Sequence, residues 1–143
     1  MAKTNEKLDR LATFELFRHV ARKDLPRVAD MVGNEMTVPA GHVLTEQGRV
    51  AEDAYLVVDG TADVIVGDRS VAEIGPGESV GEMAVVDNWP RSAYVVARTP
   101  MKVYRLSGPT FLKLLDEVPT VARALIESLS VRLRRLDVRP PGF

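Results

Sequence analysis

Gly75-Pro-Gly-Glu-Ser-Val-Gly-Glu-Met-Ala-Val-Val-Asp-Asn-Trp-Pro-Arg-Ser-Ala93 decides how the rest of this sequence is to be understood. It lies between two short runs, Val71-Ala72-Glu73-Ile74 and Tyr94-Val95-Val96-Ala97, whose composition suits β-strands. The segment itself does not share that texture. A glycine-rich turn leads into Glu82 to Val86, a length that suits one helical turn, and Arg91 stands just before the following strand. The first amides of a helix have no intrahelical acceptor and form a ready site for a small anion. Gly81 lets backbone approach a ligand closely because it carries no Cβ. Arg91 supplies a planar, permanently charged fork that matches phosphate. Glu82 does not suit a phosphate, but it can accept a hydrogen bond from a hydroxyl beside one. A sugar phosphate meets all three demands together.

On both sides of this segment, Glu35 to Leu106 reads as punctuated β structure. Val43-Leu44-Thr45, Ala54-Tyr55-Leu56-Val57-Val58, Ala62-Asp63-Val64-Ile65-Val66 and Lys102-Val103-Tyr104-Arg105-Leu106 join the two runs above as expected strands. Pro39-Ala40-Gly41, Gly48, Asp59-Gly60, Gly67-Asp68 and Gly75-Pro76-Gly77 separate them, and Asp59-Gly60 suggests a hairpin turn. Short strands at this density predict an antiparallel β-roll or jelly roll. Ahead of them Leu8, Leu11, Phe14 and Phe17, then Leu25, Val28, Ala29 and Val32, recur at helical spacing. Asp24 is placed to cap the second of these helices, with Pro26 in its first turn. After the strands, Phe111, Leu112, Leu114 and Leu115 predict a short helix. Val121, Leu125, Leu129, Leu133 and Leu136 predict a longer one from about Pro119 to Asp137, ended by Pro140-Pro141-Gly142. The expected class is α+β in a single domain over residues 1–143: N-terminal helices over 1–33, a β-roll over 34–107 that holds segment 80–93, and C-terminal helices over 108–137.

The 143 residues, 45% hydrophobic and 27% charged, describe a globular chain. The absence of cysteine removes disulfides, thiolate metal sites and cysteine nucleophiles, and fits a reducing, cytoplasmic compartment. A net charge of −1 gives no global attraction to nucleic acid or to an anionic membrane. Met1 to Leu11 lacks the apolar block of a signal peptide, and no stretch approaches the roughly 18 apolar residues of a membrane span. His19 and His42 are isolated, with neither metal-ligand spacing nor a triad arrangement. No Walker-type loop with lysine is present, so ATP hydrolysis has no support. No catalysis and no cofactor are expected.

Gly81-Glu82-Met83-Ala84 and Pro90-Arg91-Ser92-Ala93, with nine residues from Glu82 to Arg91, resemble the phosphate-binding cassette of cyclic-nucleotide-binding domains. The likeness extends over nearly the whole chain, through Pro39-Ala40-Gly41-His42-Val43-Leu44, the Gly48 loop, Val57-Val58-Asp59-Gly60 and the closing helix. It is similar both to the sensor half of the bacterial catabolite activator protein and to the cytoplasmic domain of bacterial cyclic-nucleotide-gated potassium channels. The resemblance implies a ligand, cAMP or cGMP, and a role for each matching residue. Arg91 pairs with an exocyclic phosphate oxygen, Glu82 accepts from the ribose 2′-hydroxyl, and Gly81 presents backbone to the sugar. Met83 and Ala84 offer amides to the phosphate. Ser92 adds a hydroxyl near phosphate and base, and Ala93 closes the wall. Val64 and Val80 line the pocket around sugar and base. Arg132 stands where the channel branch places a base-stacking arginine, on a final helix that acts as a lid.

Val80 departs from the phenylalanine frequent at its position. Serine after the arginine, as in bacterial cAMP sensors, favours cAMP modestly. No helix-turn-helix pattern follows residue 137, so the DNA-binding role of the activator branch is not implied. The signal is expected to pass through the final helix to a protein partner, a fused effector or a second copy. Plainer readings stand beside these: a solvated face for Arg132, Arg134 and Arg135, a helix-start carboxylate for Glu82, and Trp89 as a loop residue packed over the cassette. An interaction module of the same fold that binds no nucleotide is the rival function. An enzyme of jelly-roll type is a more distant third.

Overall fold

The computed structural model describes residues 2–135. Helix α1 spans Ala2–Ala12 and α2 spans Leu25–Val32. Between them the chain does not continue as the helix that Phe14 and Phe17 suggested. It makes two 3-10 turns, Glu15–Phe17 and Arg22–Asp24, because Phe14 is extended with φ −72° and ψ 137°. The turns still bury Phe14, Leu16 and Phe17, by folding back rather than by sharing a helical face. Asp24 holds the cap position of α2 without a side-chain cap bond, and Pro26 lies in the first turn as expected.

Eight strands follow, with a short helix between the sixth and seventh: β1 Glu35–Val38, β2 Val43–Thr45, β3 Asp53–Asp59, β4 Ala62–Val66, β5 Arg69–Ile74, β6 Ser79–Val80, α3 Glu82–Asp87, β7 Tyr94–Ala97 and β8 Met101–Ser107. They form two four-stranded sheets, in the orders β1-β8-β3-β6 and β2-β7-β4-β5, with every pairing antiparallel. This is the α+β jelly roll that the strand density predicted. Strands β1 and β6 were not foreseen. Three of the four β1 residues are exposed, and β6 is only two residues long, so neither has a periodic signature.

The expected hairpin at Asp59-Gly60 is corrected. Strand β3 pairs with β8 and β6, whereas β4 pairs with β5 and β7, so the turn carries the chain from one sheet to the other. Gly60 is required there by a close approach. Its φ is +87°, and a Cβ would lie 2.4 Å from the Pro100 carbonyl oxygen. The hairpin of this region is β4–β5, turned at Gly67-Asp68.

Two apolar cores share strands β3 and β8. Leu56, Tyr104 and Leu106 face the helices and pack with Leu11, Phe14, Phe17, Val28, Phe111, Leu114 and Val121. Val57, Met101 and Val103 face the interior of the roll, with Val38, Ala62, Val80 and Val95. Burial on both faces explains why β3 reads as a continuous apolar run rather than an alternation.

After β8, α4 spans Gly108–Glu117, with the Ser107 hydroxyl accepting the Thr110 N–H at 3.3 Å, and α5 spans Pro119–Arg135. Val121 and Leu125 of the expected α5 stripe are buried, Leu129 is half-buried and Leu133 is exposed. Leu136, Asp137 and Pro140-Pro141-Gly142 lie outside the described residues. The first half of α5 is tied to the turn after α1: the Arg18 guanidinium donates to the Ala124 carbonyl at 3.0 Å, and His19 pairs with Glu127. Among the described residues no helix is long and apolar enough to cross a membrane.

Candidate functional site

A cavity of about 420 Å³ opens between β4–β5, the β6–α3 corner and the end of α5. Its volume lies in the range of small-molecule sites, about 300–1,000 Å³. All ten residues singled out from the sequence line it: Val64, Val80, Gly81, Glu82, Met83, Ala84, Arg91, Ser92, Ala93 and Arg132. They come from four separate elements and the loop after α3, so only the tertiary fold brings them together.

The corner is built locally. Strand β6 ends at Val80, which is buried, and pairs with Tyr55 of β3. Gly81 then takes a left-handed conformation, φ +78°, and α3 begins at Glu82. That reversal turns Glu82 inward, where it is 3% exposed, and leaves Met83 at the surface. Helix α3 ends at Asn88, also left-handed at φ 55°. Asparagine is among the few side-chain-bearing residues that adopt this conformation readily.

Arg91 is 7% exposed and its fork is fixed by backbone. Nη1 donates to the Gly81 carbonyl at 2.7 Å, and Nη2 donates to the Asp53 carbonyl. Two of its five N–H groups are used in this way, and the side chain lines the cavity. Its own backbone is held too, by an N–H to the Arg49 carbonyl and a carbonyl that accepts from Gly48 N–H, both at 2.8 Å. Burial lowers the pKa of this guanidinium, and the nearby Tyr55, Asp53, Glu82 and Glu52 oppose that shift. Arginine stays charged throughout the physiological range. Among the described residues no carboxylate lies within ion-pair distance of this buried cation, which suits it to an incoming anion.

Glu82 faces the same cavity. Among the described residues its paired cation is Arg132, whose Nη1 lies 3.5 Å from Glu82 Oε1. The same Nη1 lies 3.6 Å from Met83 Sδ. Arg132 is therefore not simply part of a solvated face. Trp89, expected to pack over the cassette, is instead 70% exposed, directly after the left-handed Asn88.

A buried cationic fork, a buried carboxylate and a glycine corner around one cavity are the arrangement expected of a sugar-phosphate site. Comparison with known proteins decides the family: residues 35–118 match the model for the cyclic nucleotide-binding domain. The chain belongs to that family. This cyclic nucleotide-binding domain is 32% identical over 125 residues to the Pycsar effector protein XpPycTIR of Xanthomonas perforans, covering 86% of this chain and 41% of that one. It is 34% identical over 105 residues to the cyclic AMP receptor protein of Thermus thermophilus, covering 70% and 49%. The crystal structure of the Thermus thermophilus catabolite activator protein superimposes with a TM-score of 0.77 at 31% identity, covering 87% of this chain and 60% of that one. The chain thus spans about two-fifths to half the length of these curated relatives.

Sequence reasoning missed several lining residues of the domain: Thr45, Ala72, Ile74, Ser79, Val95 and Arg135. Ala72 and Val95 are both register partners of Val64, so they project from the same face of the sheet. Strand alternation from Val64 would have found them once the pairing was known. Thr45 is buried, and its hydroxyl donates to the Ala93 carbonyl at 3.0 Å, tying β2 to the wall beside Arg91.

Proposed function

We propose that this domain binds a cyclic nucleotide, cAMP in preference to cGMP, and acts as a non-catalytic sensor whose α5 moves when the ligand is captured. One observation carries the reading: Arg91 and Glu82, a buried cation and a buried carboxylate, line one cavity of the size a nucleotide needs. Arg91 takes an exocyclic phosphate oxygen through its remaining N–H groups, and the Met83 and Ala84 amides at the start of α3 add donors. Glu82 accepts from the ribose 2′-hydroxyl, with Gly81 backbone against the sugar. Val64, Val80 and Ala93 supply apolar wall. Ser92 sits at the rim beside the phosphate, and Arg132 reaches from α5 toward the base. The preference for cAMP is supported by serine at position 92 and by the likeness to a relative named as a cyclic AMP receptor protein.

Helix α5 is the output element. It carries Arg132 at the cavity and, near its middle, the contacts of Ala124 and Glu127 with Arg18 and His19, so a shift at the ligand reaches the N-terminal turns through one helix. Ligand can bias its position only through a difference in affinity between the two arrangements. The recipient is a fused effector, a partner protein or a second copy.

The test is isothermal titration of the purified domain, freed of carried-over nucleotide, with cAMP, cGMP, cUMP and cCMP, beside Arg91→Ala. Removing one charged partner of a buried phosphate costs about 2–5 kcal/mol, so Arg91→Ala should weaken binding at least about 30-fold. Chromatography of the ligand after incubation should return it unchanged. Absence of heat from every ligand, on folded wild-type protein, refutes the sensor and leaves the interaction module.

A further inference from the structure

The pairing of Arg132 with Glu82 bears on how the sugar is read. Arg132 stands in the last described turn of α5 with its side chain 48% exposed, whereas the Glu82 side chain is 4% exposed. A half-solvated cation therefore reaches onto a buried carboxylate. Such a carboxylate is costly to leave without a partner, while an exposed guanidinium is readily satisfied by water. The hydroxyl assigned above to Glu82 is thus a second claimant on a carboxylate that Arg132 already holds.

We propose that Arg132 and the ribose 2′-hydroxyl compete for Glu82, so that Arg132 sets how strongly this pocket distinguishes a ribose from a deoxyribose cyclic nucleotide. The proposal rests on the sugar role given to Glu82 above. When the hydroxyl takes the carboxylate, Arg132 is left with the Met83 thioether, a weak acceptor. Its guanidinium is then available to the face of the base, an attraction that a cation and a π-system share. Exchange at Glu82 and stacking on the base become successive uses of one side chain. Because that side chain belongs to α5, the exchange is felt by the helix.

Competition and simple base stacking predict different things. Stacking is blind to the 2′ position, so removing Arg132 would weaken ribose and deoxyribose ligands equally. Under competition, removing Arg132 leaves Glu82 buried without its cation and makes the hydroxyl worth more.

The experiment is titration of the 143-residue chain with the tightest-binding cyclic nucleotide and with its 2′-deoxy counterpart, in wild type, Arg132→Ala, Arg132→Gln and Glu82→Gln. The ratio of the two dissociation constants, deoxy over ribo, should rise about five-fold or more in both Arg132 variants, as expected when a hydrogen bond gains an unpaired charged acceptor. In the Glu82→Gln background, substituting Arg132 should leave the ratio unmoved. An unchanged or smaller ratio in folded Arg132→Ala and Arg132→Gln overturns the competition while leaving the nucleotide site intact. Failure of wild type to bind any cyclic nucleotide removes the site itself and this proposal with it.

Discussion

Arg91 is held by the chain it binds across: its Nη1 rests on the Gly81 carbonyl and its Nη2 on that of Asp53. Gly81 is as much a part of this arrangement as the arginine. A Cβ there would lie 2.2 Å from Arg91 Nη1, and φ +78° is itself strained for alanine. Gly81→Ala should therefore act twice. It should destabilise the fold by about 1–3 kcal/mol through backbone strain, and displace the guanidinium enough to weaken ligand binding about 100-fold. Denaturant melts and titration measure the two separately. A variant that binds normally would show that the guanidinium position does not matter. The step between Glu82 and Arg91 was readable in the sequence because both lie in one contiguous segment. The Arg132 contact was not, since it joins residues fifty positions apart through the seating of α5.

Helix α5 is asymmetric along its length. Val121, Ala124 and Leu125 are buried against the rest of the fold, whereas Ile126, Val131 and Leu133 are exposed. The clamp at Glu127 joins the two halves. Its carboxyl lies below the usual carboxylate range, chiefly through the hydrogen bond to His19; slight burial opposes this, and the charges of His19, Arg18 and Arg123 add to it. A carboxylate depressed in the folded state stabilises above its unfolded pKa, and that contribution is lost as pH falls through the folded value. Glu127→Gln should therefore melt below wild type at pH 7, and the gap should narrow as pH falls through and below the ordinary glutamate range. Equal melting temperatures at pH 7 would remove the clamp from the account of how α5 is anchored. The existence of this helix was legible from its spacing. Its division into a seated half and an exposed half was not, because Val121 and Leu133 are equivalent in a pattern and differ only in what lies opposite.

At the scale of the whole domain, β3 and β8 are common to the helix-side core and the roll interior, so the two cores should unfold together. A ligand bound in the cavity that β6, α3 and α5 line should then stabilise the entire unit. At one hundred times the dissociation constant the gain is about 2.7 kcal/mol, which for a domain of this size raises the melting temperature by about 8 °C. Scanning calorimetry should show one transition that moves as a whole. A second transition that stays in place would separate the helices from the roll.

What the sequence determined by itself is what neighbouring residues decide among themselves: the strand runs, the glycine corners, the short α3 and the spacing that brings Glu82 and Arg91 to one cassette. Turn chemistry and side-chain period act over a few residues, so they survive without the fold. Pairing is another matter. Asp59-Gly60 looked like a hairpin, and only the assignment of β3 and β4 to different sheets made it a crossing with Gly60 against Pro100. Phe14 and Phe17 kept helical spacing in a segment that folds as 3-10 turns, because burial against Tyr104 and Leu106 outweighs local propensity. Trp89 followed the left-handed Asn88 into solvent. Arg132 met Glu82 because α5 is seated by the buried residues of its first half and by the clamp at its middle. Each of these depends on segments distant in the chain meeting in space, and that meeting is what tertiary packing alone supplies.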